Sequence, residues 1–233
     1  MMRMILARTL VAASCLFCTS LLAAQTASPA AIAVGIVWWP ADPADALDAM
    51  GGDIEACLTA RIREVAPEIV VTPQRTIRDT LFPLLEPATQ PATEADFAAL
   101  LAREDVRARL LRRGLQYLIV FSGGTLEDKP GGFILCGAGY GGGGCLGFIW
   151  QGETTTLDAA LWSLDDSVKI RHEGAKVEGT FMMPAFGLPV PIPALTRAQA
   201  CHELGSRIAL AIRLTAADHA KNPQDPESAR QRE

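Results

Sequence analysis

The chain has 233 residues, with 21 basic against 26 acidic side chains for a formal net charge of −5, and an apolar fraction of 49%. A chain of this length accommodates one domain with a sizeable core. The acidic balance argues against nucleic acid or anionic lipid headgroups as the main partner, since both would meet a like-charged surface.

Residues 1–24 carry Arg3 and Arg8 and no acid ahead of an apolar run that ends in small residues. This is the layout of a secretory signal peptide, cleaved after Ala24. It predicts a periplasmic or secreted protein whose mature N-terminus, residues 25–31, is flexible. An outer-membrane lipoprotein anchored at Cys15 or Cys18 is the alternative, although Ala12-Ala13-Ser14 ahead of Cys15 matches a lipidation pattern only in part. No later stretch supplies the roughly 20 apolar residues of a membrane-spanning helix.

Ala33 to Trp39 reads as a buried strand stopped by Pro40, and a helix follows from Asp53 as N-cap. Glu68 to Val71 is a short strand, after which Thr72-Pro73 opens a helix that Pro83 disturbs. Thr93 with Asp96 resembles a capping box for a helix that breaks near Asp105, and Gly114 is placed as its C-cap. From Leu115 the period changes: QYLIVF is a continuous apolar run suited to a strand buried on both faces. Glu153 to Leu164 is the next strand, Asp165-Asp166-Ser167 supplies turn chemistry, and Val168 to Phe181 alternates as antiparallel strand. A proline-rich loop, residues 182–195, leads to a last helix that Thr196 and Gln199 would cap. Residues 215–233 are polar, mixed in charge and expected to be disordered. The order is βαβαα-βββ-α, a single α+β domain over 32–214 with a mixed sheet and helices mainly on one face.

Four cysteines remain after the signal peptide, an even number in an oxidising compartment. Cys57 and Cys201 each fall on the apolar phase of a helix, one near either end of the domain, which pairs them and leaves Cys136 with Cys145. Closing so long a loop stabilises by about 4 to 5 kcal/mol in the loop-entropy account, and the short loop by roughly 2 to 3 kcal/mol.

The element order and two motifs, LLRRGLQYLIV over Leu110 to Val120 and Ala-Ala-Leu-Trp-Ser-Leu-Asp-Asp over Ala159 to Asp166, resemble the TolB amino-terminal-domain-like module of bacterial envelope proteins. That module recurs in lipoprotein activators of penicillin-binding proteins and in the curli secretion subunit. The resemblance implies a non-catalytic docking module, and the long insert from Pro83 to Arg103 and the glycine-rich cysteine segment depart from it.

Within CGAGYGGGGC, Gly137, Gly139 and Gly142 fit G-x-G-x-x-G, but a dinucleotide fingerprint must close a strand and open a helix, and this one runs on into another strand. No nucleotide is expected. Cys136 and Cys145 lack a second ligand pair, since His172, His202 and His219 are scattered, so neither metal nor cofactor is expected. The segment reads instead as a glycine loop stapled by a disulfide, able to present Tyr140 to a partner. His202 points away from its neighbour Cys201 and reads as solvent-facing, and Asp165-Asp166 as a turn. No nucleophile elbow, Walker loop or zinc-protease motif occurs. A secreted hydrolase would have to assemble its site from scattered carboxylates. The remaining candidate is the proline-rich segment, where Met182, Met183, Phe186, Leu188, Val190 and Ile192 lie among prolines that oppose both helix and sheet ladder. It either packs over the sheet as core or forms an exposed, preorganised lip for an envelope protein. Membrane contact by the same lip has the acidic net charge against it, and a secretion or assembly subunit would show itself as a homo-oligomer.

Overall fold

The computed structural model describes residues 31–39, 49–86, 88–139 and 142–221. Residues 1–30, which hold the expected signal peptide and most of the expected flexible N-terminus, Tyr140 and the chain beyond 221 lie outside the described residues. In chain order the elements are β1 (Ile32–Trp38), α1 (Ala49–Val65), β2 (Ile69–Thr72), α2 (Gln74–Leu81), α3 (Glu94–Ala102), α4 (Glu104–Arg112), β3 (Tyr117–Glu127), β4 (Gly131–Gly139), β5 (Gly142–Ser163), β6 (Lys169–Pro189) and α5 (Thr196–Lys221). The fold is α+β with a mixed sheet, as expected: β1 pairs in parallel with β2 and β3, and every later pairing is antiparallel.

Strand alternation divides the core into two layers. Val34, Ile36, Tyr117, Ile119, Phe121, Leu157, Ala159 and Leu161 face α1 and α5. Val37, Leu118 and Trp162 face the three shorter helices, meeting Ile77 of α2, Phe97 of α3 and Leu110 of α4. The 17-residue α1 and the 26-residue α5 thus share one face, while helices of eight or nine residues cover the other. The Cys57–Cys201 disulfide ties α1 to α5 across their apolar stripes, as their phases predict.

Local signals account for most of the boundaries. Thr93 and Asp96 form the expected capping box on α3. Gly114 takes φ 77° just after α4, the left-handed stop that glycine adopts without penalty. The helix break comes at Arg103, not Asp105: Arg103 is extended, and its guanidinium binds the Asp105 carboxylate at 3.1 and 3.0 Å. The first helix starts at Ala49, so Asp53 sits inside it and is not its cap. Nor does Thr196 cap α5. Its hydroxyl is buried, accepts from Thr155 Oγ1 at 2.9 Å and donates to Glu153, while the Gln199 N–H turns to the Leu195 carbonyl. The last helix runs through 215–221, seven residues of the expected tail, and Thr215 within it is buried, its hydroxyl donating to the Ala211 carbonyl.

The larger departure is in the last strands. Residues 136–139 and 142–145 of the glycine segment and 182–189 of the proline-rich segment, all expected to be loop, lie in strands. β3 and β4 lie end to end along one edge of the 22-residue β5, with Glu153 to Ser163 pairing β3 and Gly142 to Trp150 pairing β4. The 21-residue β6 runs along the other edge from Lys169 to Gly187 in the ladder. Pro184 is tolerated because Met182, two residues away, turns its N–H and C=O outward to Ile192, so the missing N–H of Pro184 also falls on the side away from β5. Only its carbonyl is used there, by the Val190 N–H at 3.0 Å.

Candidate docking surface

Among the described residues no helix covers the end of this ribbon, where β4, the first half of β5 and the last part of β6 run side by side. Register partners share a face in an antiparallel pair. The ladder therefore places Phe133 beside Phe148, Leu135 beside Leu146, Trp150 beside Met182, and Leu146 beside Phe186 on one face. Leu188, Val190 and Ile192 continue that face, the last through its bridge to Met182. All of these side chains are exposed, Phe186 by 81%, Leu188 by 79% and Leu135 by 70%. A soluble monomer rarely leaves so many contiguous large apolar groups in water.

The opposite face of the same strands carries Gly132, Ile134, Cys136, Ala138, Cys145, Gly147, Ile149, Met183 and Ala185. It is small in bulk, with Ala185 fully buried and Ile149 and Met183 half-buried. Of the sequence candidates, Met182, Phe186, Leu188, Val190 and Ile192 are thus brought onto one exposed face, while Met183 turns to the other. Tyr140 cannot be placed, lying outside the described residues. Sequence reasoning missed Phe133, Leu135, Leu146, Phe148 and Trp150. The signal that finds them is absence of charge: no Asp, Glu, Lys or Arg occurs over 130–152 or over 179–196.

The Cys136–Cys145 disulfide crosses the ribbon between directly opposed residues. Gly137, Gly139 and Gly142 therefore sit in strands flanking a stapled hairpin and not at a strand-to-helix turn, which removes the geometry of a dinucleotide cradle. Among the described residues no three His, Cys, Asp or Glu side chains gather as metal ligands, and no helix is long and apolar enough to cross a membrane.

Charge returns where the ribbon meets the domain. Glu127, Asp128, Lys129, Glu153, Lys176 and Glu178 all lie there, and Lys176 pairs with Glu178 at 2.7 Å, holding the Glu178 carboxyl below its usual value. Beneath α5, Thr125, Thr155, Thr196 and Glu153 form a hydrogen-bonded chain, with the Arg197 Nε donating to Thr125 Oγ1 at 3.1 Å.

A separate cavity of about 130 Å³ lies on the short-helix face. Trp39, Phe97 and Trp162 line it, with Ser122, Asp158 and His172 at its rim. His172 Nε2 is 3.4 Å from Asp158 Oδ1, and Asp158 is the register partner of Ser122. Both members of the His–Asp pair stand well out in solvent. His202 is exposed, and Asp165-Asp166 form the β5–β6 turn. There, after burial itself, their charges help to push the Tyr117 hydroxyl above its ordinary pKa.

No protein-family model matches the chain, and no curated protein matches it. Solved structures are similar only loosely. A PelC dodecamer from Paraburkholderia phytofirmans superposes with a TM-score of 0.36 at 6% identity, covering 77% of this chain and 85% of that one. A putative neuraminyllactose-binding hemagglutinin homolog from Helicobacter pylori gives 0.36 at 9% identity, over 82% and 86%. Lipoprotein GNA1162 from Neisseria meningitidis gives 0.32 at 13% identity, over 64% and 80%.

Proposed function

We propose that this chain is an exported, non-catalytic attachment module of the bacterial cell envelope, and that it works through the uncharged ribbon. Met182, Phe186, Leu188, Val190 and Ile192, joined by the hairpin stapled at Cys136 and Cys145, form its docking face. The observation that carries this reading is the unbroken run of exposed apolar side chains across three strands, from Leu135 through Leu146 to Phe186. Leaving such a face in water forfeits the apolar burial that dominates folding and association alike. The TolB-like motifs read from the sequence and the expected signal peptide support the placement in the envelope. Proline in β6 and the cross-strand disulfide rigidify the face in advance, which lowers the ordering cost of binding.

The test is in-cell photo-crosslinking from a probe residue at Phe186, with the same probe at exposed Leu210 on α5 as control. Capture of a discrete envelope component from position 186 alone supports the module, and background equal to the control removes it. A second reading rests on the cavity that His172, Asp158 and Ser122 line together, the residue types of a hydrolase. His172→Ala would leave attachment unchanged and would matter only for that reading, so a loss of any hydrolytic activity detected in the wild type decides for it.

A further inference from the structure

The attachment reading leaves its partner open, and the choice of partner made here rests on that reading. Polarity in the ribbon changes with distance from the domain and not between the two faces. Both faces are charged or polar around Lys129, Glu153 and Glu178, and neither carries a charge from there outward in β4, β5 or β6. A protein–protein interface concentrates its apolar side chains in one patch and keeps a polar rim around it. Lipid hydrocarbon makes the other demand, that no charge be present on any side at a given depth. At the boundary between the two zones Phe148 and Trp150 stack with ring centroids 5.5 Å apart, and Trp is favoured at the level of lipid headgroups.

We infer that the uncharged end of the ribbon enters the hydrocarbon of a lipid bilayer, with the charged collar left at the headgroups. The charges match. The collar is mixed in sign with an acidic excess, so it suits zwitterionic headgroups and not an anionic surface, and the acidic net charge that argued against membrane contact resides away from the inserted end. The length allows it as well: beyond Gly131 and Phe133, the partners of Trp150 and Phe148 at the boundary, β4 continues through Ile134–Gly139, which at about 3.3 Å per residue reaches roughly 20 Å into the hydrocarbon. The backbone adds a requirement. No strand pairs with the outer edge of β4 among the described residues. Hydrocarbon offers nothing to those N–H and C=O groups, so inserted copies must pair edges with one another.

The experiment is flotation of the purified mature chain, without residues 1–24, with phosphatidylcholine vesicles, comparing wild type, Leu146→Glu and Leu210→Glu, the last on α5 as control. Wild type and Leu210→Glu should float, and Leu146→Glu should lose about tenfold or more of the bound fraction, as a charge buried in hydrocarbon requires. An environment-sensitive fluorescent residue at position 186 should be quenched by lipids labelled on their acyl chains, and one at position 210 should not. This second readout needs no destabilising variant. Bound protein should also crosslink to itself, as edge pairing requires. Absence of flotation, equal flotation of Leu146→Glu, or no quenching at 186 overturns the inference. Should that happen while the Phe186 crosslinker still captures a discrete protein, the attachment reading stands and its partner is that protein. If neither occurs, both fall.

Discussion

Cys136 and Cys145 face each other directly across β4 and β5, with Cα atoms 4.0 Å apart, whereas Cys57 and Cys201 join two helices that are 144 residues apart in sequence. The two bonds should therefore report on different parts of the molecule. Replacing Cys57 and Cys201 together by Ala removes a constraint on a long unfolded loop and should cost about 4 kcal/mol of global stability in urea titrations. Replacing Cys136 and Cys145 by Ser should leave the urea midpoint nearly unchanged, because the ribbon adds little to the core, and should speed amide exchange in β4 and the first half of β5 alone. A common loss of global stability in both variants would mean that the ribbon folds as one cooperative unit with the domain.

Gly123 and Gly124 form a matched pair in β3. Gly123 has φ 143°, and a Cβ there would lie 2.2 Å from the Thr156 carbonyl oxygen and 2.8 Å from the Leu157 Cα, both backbone atoms of the paired strand. Gly124 has nothing within 4 Å. Gly123→Ala should cost about 3 kcal/mol or more, since neither strand can retreat without losing its ladder, while Gly124→Ala should stay within about 0.5 kcal/mol. Equal effects of the two substitutions, measured by thermal unfolding, would contradict the tight crossing of β3 and β5.

How much of this is legible in the sequence depends on which interaction fixes each element. Both disulfide pairings, the Thr93–Asp96 capping box and the Gly114 stop rest on local chemistry or simple helical phase, and all are present. Residues 182–189 read as a loop because proline lacks an N–H, yet that lack matters only on the side of the strand that faces a partner. Only the register with Ile192 shows that the N–H of Pro184 would have pointed outward. Phe133, Leu135, Leu146, Phe148 and Trp150 are hidden by interspersed glycines, which lower the apparent strand signal; pairing then gathers them with Met182 and Phe186. The Thr196 cap fails for a tertiary reason, since Glu153 and Thr155 compete for its hydroxyl and win once the site is buried.

That competition can be measured. Thr196 and Thr155 are among the few buried polar residues, and their hydroxyls satisfy one another and Glu153. Thr196→Val keeps the shape but removes the hydroxyl that accepts from Thr155 and donates to Glu153, leaving Thr155 bonded to Thr125 alone, and should cost about 1 to 2 kcal/mol. Thr196→Ser keeps the hydroxyl and should lose less than half of that. If Val proved as stable as Ser, the chain from Thr125 to Glu153 would contribute nothing net to folding.

Glu68, at the entrance to β2, receives both Nε and Nη2 of Arg213 from α5, the second at 3.0 Å. These hydrogen bonds, and secondarily its own backbone N–H, hold the Glu68 carboxyl below its ordinary value despite partial burial. A carboxyl with a lower pKa in the folded than in the unfolded chain stabilises fully above the unfolded value of about 4.3, and that contribution disappears as pH falls through the lower folded value. Stability of the wild type should therefore decline from about pH 5 towards pH 3, and Glu68→Gln should flatten that limb while leaving the high-pH side lower by a constant amount. Asp105 and Glu178 are depressed in the same direction by Arg103 and Lys176, but both are solvent-exposed and screened, so raising the salt concentration should erase their share first. Subtracting the Glu68→Gln profile from the wild-type profile at the same low salt cancels the shares of Asp105 and Glu178 and isolates the α5–β2 clasp. A flat difference between about pH 3 and 5 would show that Arg213 and Glu68 do not hold each other in solution.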